Sequence, residues 1–177
     1  MGGSNLLIGV ALAIPDPWGA EIEGWRESFG DPQASSIPAH ITLLPPTRIL
    51  ESQIPDVRVH LSQAAAATAP FDVQLRGAGT FRPVSPVVFV SVSQGISACE
   101  QLEARIRVGV LDRELDYPYH PHVTVAHDVP KSVLDQAFQS LSGFTASFVA
   151  TEFALYVHDD SGIWQVFETF PLAGAQT

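Results

Sequence analysis

One cysteine, Cys99, stands in a chain of 177 residues. It cannot close an internal disulfide, and it lacks the spaced partners of a cysteine-ligated zinc site. That points to a reducing, cytoplasmic setting. Positive charge is scarce as well. Nine basic residues, one of them a lysine, face nineteen acidic ones, for a formal net charge of −10. Long nucleic acid is held through a basic stripe that neutralises phosphates, and this chain has none, so a long duplex is excluded as a partner. A single nucleotide or a short RNA end in a cleft of locally positive field remains compatible with that charge. Long apolar runs are missing too. The longest, Leu6 to Pro15, falls far short of a membrane span, and no basic segment precedes it to make a signal peptide.

Proline and glycine, in contrast, are plentiful, at 14 and 13 residues. They punctuate the whole length and exclude a coiled coil, while 46% hydrophobic residues exclude disorder. A chain of this size buries roughly 70% of its unfolded surface and folds without disulfide or structural metal. No linker divides it, so residues 1–177 are read as one domain built from two lobes, and as a monomer.

The apolar run Leu6–Ile14 predicts a buried strand stopped by Pro15. Asp16-Pro17 reads as a helix start, and Ile22, Trp25 and Phe29 recur at helical spacing up to Gly30. Further strands are predicted over His40–Leu44, ended by Pro45-Pro46, and over Phe71–Leu75, Val87–Val92, His122–Ala126, Phe148–Val157 and Ile163–Phe170. Gly77–Phe81 reads as a turn or bulged strand end. Helices are predicted over Pro55–Ala69, Ser97–Leu115 (Ser97 and Glu100 in capping-box register) and Lys131–Leu141. Asp159–Gly162 is a hairpin signal. Strands and helices mix without strict βαβ alternation, which predicts an α+β fold with mostly antiparallel sheets.

One short pattern occurs twice: His40-Ile41-Thr42, and 82 positions later His122-Val123-Thr124. On a strand, residues i and i+2 share a face. Each copy therefore aims an imidazole and a hydroxyl the same way, while Ile41 and Val123 pack opposite. Either copy alone is a common accident; two copies in matching halves are not. Two lobes facing each other would gather both pairs around one cleft. Such a site suits phosphodiester chemistry. One neutral histidine takes a proton from the attacking oxygen, the other, protonated, gives one to the leaving oxygen, and the threonine hydroxyls meet the charge on the phosphate oxygens. That chemistry calls for no cofactor and no metal, and unperturbed histidines would give a rate bell near neutrality.

Other residues carry weaker signals. His120, His122 and His127 could suggest a metal site, but no cysteine and few carboxylates support one. His60 and His158 read as solvated. Arg48 and Arg82 follow strand ends, where each could meet a phosphate, although exposed arginines are common. Phe81 and Tyr119 could stack a base at a cleft mouth, with core packing the blander role. Gly77-x-Gly is too short for a dinucleotide loop, and Cys99 reads as buried.

The pair His40-x-Thr42 and His122-x-Thr124 resembles the double His-x-Thr/Ser signature of the 2H phosphoesterase superfamily. Within it, the chain is similar to bacterial 2′-5′ RNA ligase-like, or cyclic phosphodiesterase-like, proteins. The flanks Pro38-Ala-His-Ile-Thr-Leu-Leu44 and Tyr119-His-Pro-His-Val-Thr-Val125 agree, and the likeness spans about residues 5–170. It implies a bilobal α+β fold of pseudo-twofold symmetry, with an antiparallel sheet in each lobe and helices on the outer faces. It also implies metal-free hydrolysis of 2′,3′-cyclic or 2′-5′ linked phosphates on small nucleotides or RNA ends, with 2′-5′ ligation as the reverse. In ring opening, His122 would act as base and His40 as acid. A nucleotide or RNA-end binder that keeps the two-histidine pocket without turnover is the alternative. The chain departs from the pattern at Pro45-Pro46-Thr47-Arg48 and at His127, where many relatives carry arginine.

Overall fold

The structure is a computed structural model that describes residues 3–176. Eight strands and four α-helices follow one another along these residues: β1 Asn5–Ala13, α1 Trp18–Ser28, β2 His40–Leu50, α2 Ile54–Ala66, β3 Phe71–Thr80, β4 Val87–Gln94, α3 Ile96–Ile106, β5 His122–His127, α4 Lys131–Ser140, β6 Thr145–Ala150, β7 Glu152–His158 and β8 Trp164–Pro171. The strands make two four-stranded sheets, in the orders β2-β1-β7-β8 and β5-β4-β3-β6. Every pairing is antiparallel. The α+β class with one antiparallel sheet per lobe is therefore as the sequence implied. Among the described residues, no helix is long and apolar enough to cross a membrane.

The two sheets repeat one another in detail. Val10 pairs Leu44 and then Ala11 pairs Thr42, skipping Leu43. In the second sheet Val88 pairs Ala126 and then Phe89 pairs Thr124, skipping Val125. Both edge strands thus carry a bulge directly after their histidine and threonine. A bulge adds one residue and resets which face the chain presents. That explains the two consecutive buried residues, Leu43-Leu44 and Val125-Ala126, that follow each motif. Ile41 and Val123, both fully buried, anchor the opposite face in one continuous core with Val10, Leu12, Val88 and Val90.

Several element limits differ from the sequence reading. The strand at His40 does not stop at Pro45-Pro46 but runs to Leu50. It lies at a sheet edge and bonds to β1 alone, and the prolines fall where the register shifts, so their missing N–H groups break no central ladder. The segment Gly77–Thr80, read as a turn or bulged strand end, is the latter: it closes β3, with a register shift between Leu75 and Ala78 and Gly77 at φ +73°. The stretch read as a single strand over Phe148–Val157 is two strands. Ala150 pairs Phe71 in one sheet and Glu152 pairs Pro171 in the other, so the chain changes lobes at Thr151. The third helix ends at Ile106, because Arg107 leaves helical geometry and Gly109, at φ +60°, turns the chain into a short 3₁₀ segment. Its start carries no side-chain cap, so the capping-box signal at Ser97 is unused: Ser97 instead accepts from Gln101, while Gly95 at φ +95° precedes the helix.

The helices connect the lobes. After α1, Asp31 accepts the backbone N–H of His127 at the end of β5 (3.0 Å). After α3, the Tyr119 hydroxyl donates to the Thr42 carbonyl on β2 (2.8 Å), and Arg113 donates to the Pro46 carbonyl and the Thr47 hydroxyl. Each motif strand is therefore fastened by the segment that follows the other lobe's helix.

Candidate active site

His40 opens β2 and His122 opens β5, each half-buried. The His40 Nδ1 lies 2.7 Å from the Pro38 carbonyl, and the His122 Nδ1 lies 2.6 Å from the His120 carbonyl. A carbonyl can only accept, so both Nδ1 atoms carry their proton. In the neutral ring that leaves the Nε2 lone pair for chemistry. In both lobes the acceptor stands two residues before the histidine. This equivalence arises from backbone alone and needs no carboxylate.

The environment of each ring disfavours charge. Burial pushes His122 down to about 4, against the pull of the His120 carbonyl, and the charges of His120 and His40 lower it further. His40 is also held below its ordinary value, first by burial, opposed by the Pro38 carbonyl and assisted by the Arg26 guanidinium. The strands that carry the two histidines, β2 and β5, lie in contact with each other. Aromatic rings account for much of the burial of His122: Phe81 stands edge-on at 4.9 Å, and Phe89 lies 5.2 Å away. Thr42 and Thr124 are half-buried, and among the described residues neither hydroxyl has a protein hydrogen-bond partner.

The register shows where the two lobes differ. Ala11 opposite Thr42 corresponds to Phe89 opposite Thr124, and Ala154 beside Ala11 corresponds to Gly79 beside Phe89. On the His122 side the Phe89 ring fills the space above Gly79, where a Cβ would come within 2.5 Å of it. On the His40 side, small residues leave a cavity of about 130 Å³, lined by Ala11, Arg26, His40, Thr42, Tyr156 and Trp164 among others. The His122 side is thus filled by an aromatic ring and the His40 side is open; His122 and Thr124 are not among the residues that line this cavity.

The weaker sequence candidates divide. Phe81 does meet the site, and Tyr119 bonds to Thr42 from below it, its hydroxyl kept protonated by burial. Arg82 is engaged by Asp135 and Thr80, and Arg48 is exposed on β2. His60, read as solvated, bonds through Nε2 to the Ile106 carbonyl at the end of α3. Cys99 is fully buried, which pushes its thiol up to about 12. The sequence reading passed over Arg26 and Asp31. A signal was present: Arg26 falls four residues after Ile22, on the apolar stripe of α1, where a charge needs a reason.

The chain is similar to provisionally named phosphoesterases of Bacillus licheniformis (31% identity over 144 residues, 80% of this chain and 85% of the relative) and Oceanobacillus iheyensis (28% over 144 residues, 80% and 84%). Its fold is similar to crystal structures of E. coli LigT. The complex with 3′-AMP superposes at a TM-score of 0.73, with 21% identity, covering 96% of this chain and 99% of LigT. LigT has also been crystallised with NADP+ and with ATP. The description of one family, the 2′-5′ RNA ligase superfamily, matches residues 14–162, from the end of β1 through both histidine motifs to the last hairpin. By that match the chain belongs to the 2′-5′ RNA ligase superfamily.

Proposed function

We propose that this protein is a phosphodiesterase that opens 2′,3′-cyclic phosphates or cleaves 2′-5′ linkages on nucleotides and RNA ends, with His40 and His122 as its acid–base pair. The observation that carries the reading is the matched pair of imidazoles, each with Nδ1 tied to a carbonyl two residues back and Nε2 left for proton transfer. In hydrolysis, neutral His122 takes a proton from water as the water oxygen bonds to phosphorus. The bond to the ribose oxygen breaks, and His40 gives that oxygen its proton. Thr42 and Thr124 donate to the non-bridging oxygens, where negative charge builds. With an RNA 5′-hydroxyl in place of water, the same proton transfers would join that oxygen to the phosphorus of a 2′,3′-cyclic end, the 3′-oxygen leaving with a proton and a 2′-5′ linkage remaining, which is the ligase direction. One P–O bond forms as another breaks, and the part of the four side chains is to move protons and donate hydrogen bonds.

The low pKa values give the substrate a part in the mechanism. Without ligand both rings are largely neutral, which suits a base and not an acid. A bound phosphate anion raises its neighbours and charges the acid only when there is something to cleave. The kcat/KM optimum accordingly moves to the acid side of neutrality, since that ratio reports the free protein.

Turnover of 2′,3′-cyclic nucleotides in the presence of EDTA tests the proposal. His40→Ala and His122→Ala should each lower the rate about 10²-fold or more. Thr42→Val and Thr124→Val should each cost on the order of 10²-fold. Tight nucleotide binding without turnover would favour the binder instead. Activity that survives loss of both histidines, or that disappears only on chelation, would refute the two-histidine mechanism.

A further inference from the structure

A chain of charge −10 that acts on phosphates needs a local cation, and among the described residues Arg26 is the arginine in the cavity lining. Its side chain is 8% exposed, yet it lines the cavity with His40 and Thr42. Nε donates to Asp31 Oδ2 at 2.8 Å, and the Asp31 side chain is fully buried. Asp31 is itself fixed by the backbone N–H groups of Gln33 (2.8 Å) and His127 (3.0 Å). The two terminal nitrogens, Nη1 and Nη2, meet no protein acceptor among the described residues. No buried side-chain nitrogen or oxygen there lacks a partner, so these nitrogens keep accessible surface on a side chain that lines the cavity. A guanidinium taken out of water with its outer donors unmatched is costly unless something else accepts from them.

We infer that Arg26 is a further substrate-binding residue, which donates from Nη1 and Nη2 to the oxygens of the phosphate held beside His40 and Thr42. This rests on the phosphoesterase reading and adds to it the group that holds the anion. The fork geometry of a guanidinium matches two oxygens of one phosphate, and Asp31 fixes its plane before the ligand arrives. The hold is one-sided. Arg26 lies on the buried face of α1, whereas the buried residues of α3, the helix between the strands of the other sheet, are Cys99, Leu102, Glu103 and Ile106, none of them a cation. The cation therefore stands on the open, His40 side of the cleft, and the substrate has one preferred orientation between otherwise equivalent histidines.

The probes are inorganic phosphate and 2′-AMP, with binding followed by calorimetry and side-chain NMR. In the unaltered protein, either probe should shift the Arg26 Nε–H resonance with the same dissociation constant that it gives at His40. Arg26→Gln should weaken binding of both by about 10-fold or more, and Arg26→Lys, which keeps the charge and loses the fork, should fall between. An Arg26→Gln protein that melts like the original and binds both probes with unchanged affinity would overturn the inference. So would an Arg26 resonance that stays still while the histidines respond, a result that needs no variant to fold. Binding that depends on Arg26 in a protein that turns over no cyclic phosphate would keep the anion site and refute the phosphodiesterase.

Discussion

The protonation of His122 is the most exposed link in this mechanism. With a pKa pushed down to about 4, His122 is charged in about one molecule in a thousand at pH 7. A phosphate of single negative charge roughly 5 Å from the ring, at an effective dielectric constant of about 20, stabilises the imidazolium by about 3 kcal/mol. That corresponds to about two pKa units, enough to return His122 to about 6. Histidine NMR followed from pH 3 to pH 8, with and without inorganic phosphate, reads both values directly. The same shift has a thermodynamic consequence. Between the unfolded value of 6.5 and the folded value of about 4, the unfolded chain binds more protons. The stability that neutral His122 preserves is thus complete above about pH 6.5 and is lost as the pH falls towards 4, by up to about 3 kcal/mol. Phe81→Ala, which removes the edge-on ring, should raise the free value back towards 6.5 and flatten that loss. A His122 that titrates at 6.5 or above in the free protein, or one that does not move when phosphate saturates, would refute the reasoning.

Three further outcomes follow from contacts around the cleft. Asp31→Ala leaves a buried guanidinium unpaired and the His127 N–H without its acceptor, and should destabilise the fold by about 3–5 kcal/mol in chemical denaturation. Tyr119→Phe removes the hydroxyl that donates to the Thr42 carbonyl across the lobes; it should cost about 1 kcal/mol of stability and lower kcat more than it raises KM. Gly79→Ala places a methyl against the Phe89 ring, which must move away; about 1–3 kcal/mol of stability should be lost, and the NMR-measured pKa of His122 should rise as its aromatic wall opens.

The local structure of this protein and its chemical vocabulary are legible in the order of its residues. Period-two alternation through His40-Ile41-Thr42 and His122-Val123-Thr124 is enough to place each imidazole and hydroxyl on one face of a strand, because side-chain direction along a strand depends on the backbone alone. The doubled apolar residues after each motif even carry the trace of the bulges, although only the register reveals them as such. What depends on distant chain segments meeting came with the folded chain. The break at Thr151 was invisible because residues on both sides are equally strand-forming, and only their partners, Phe71 and Pro171, assign them to different sheets. Pro45-Pro46 ended a strand in the linear reading and not in space, because an edge position forgives a missing N–H that the sequence cannot locate. The burial that lowers both histidines comes from rings and helices far away in sequence. Arg26 is the clearest case: a charge on an apolar stripe is legible as an anomaly, but its meaning requires Asp31 behind it and His40 in front, and no spacing rule brings those three together.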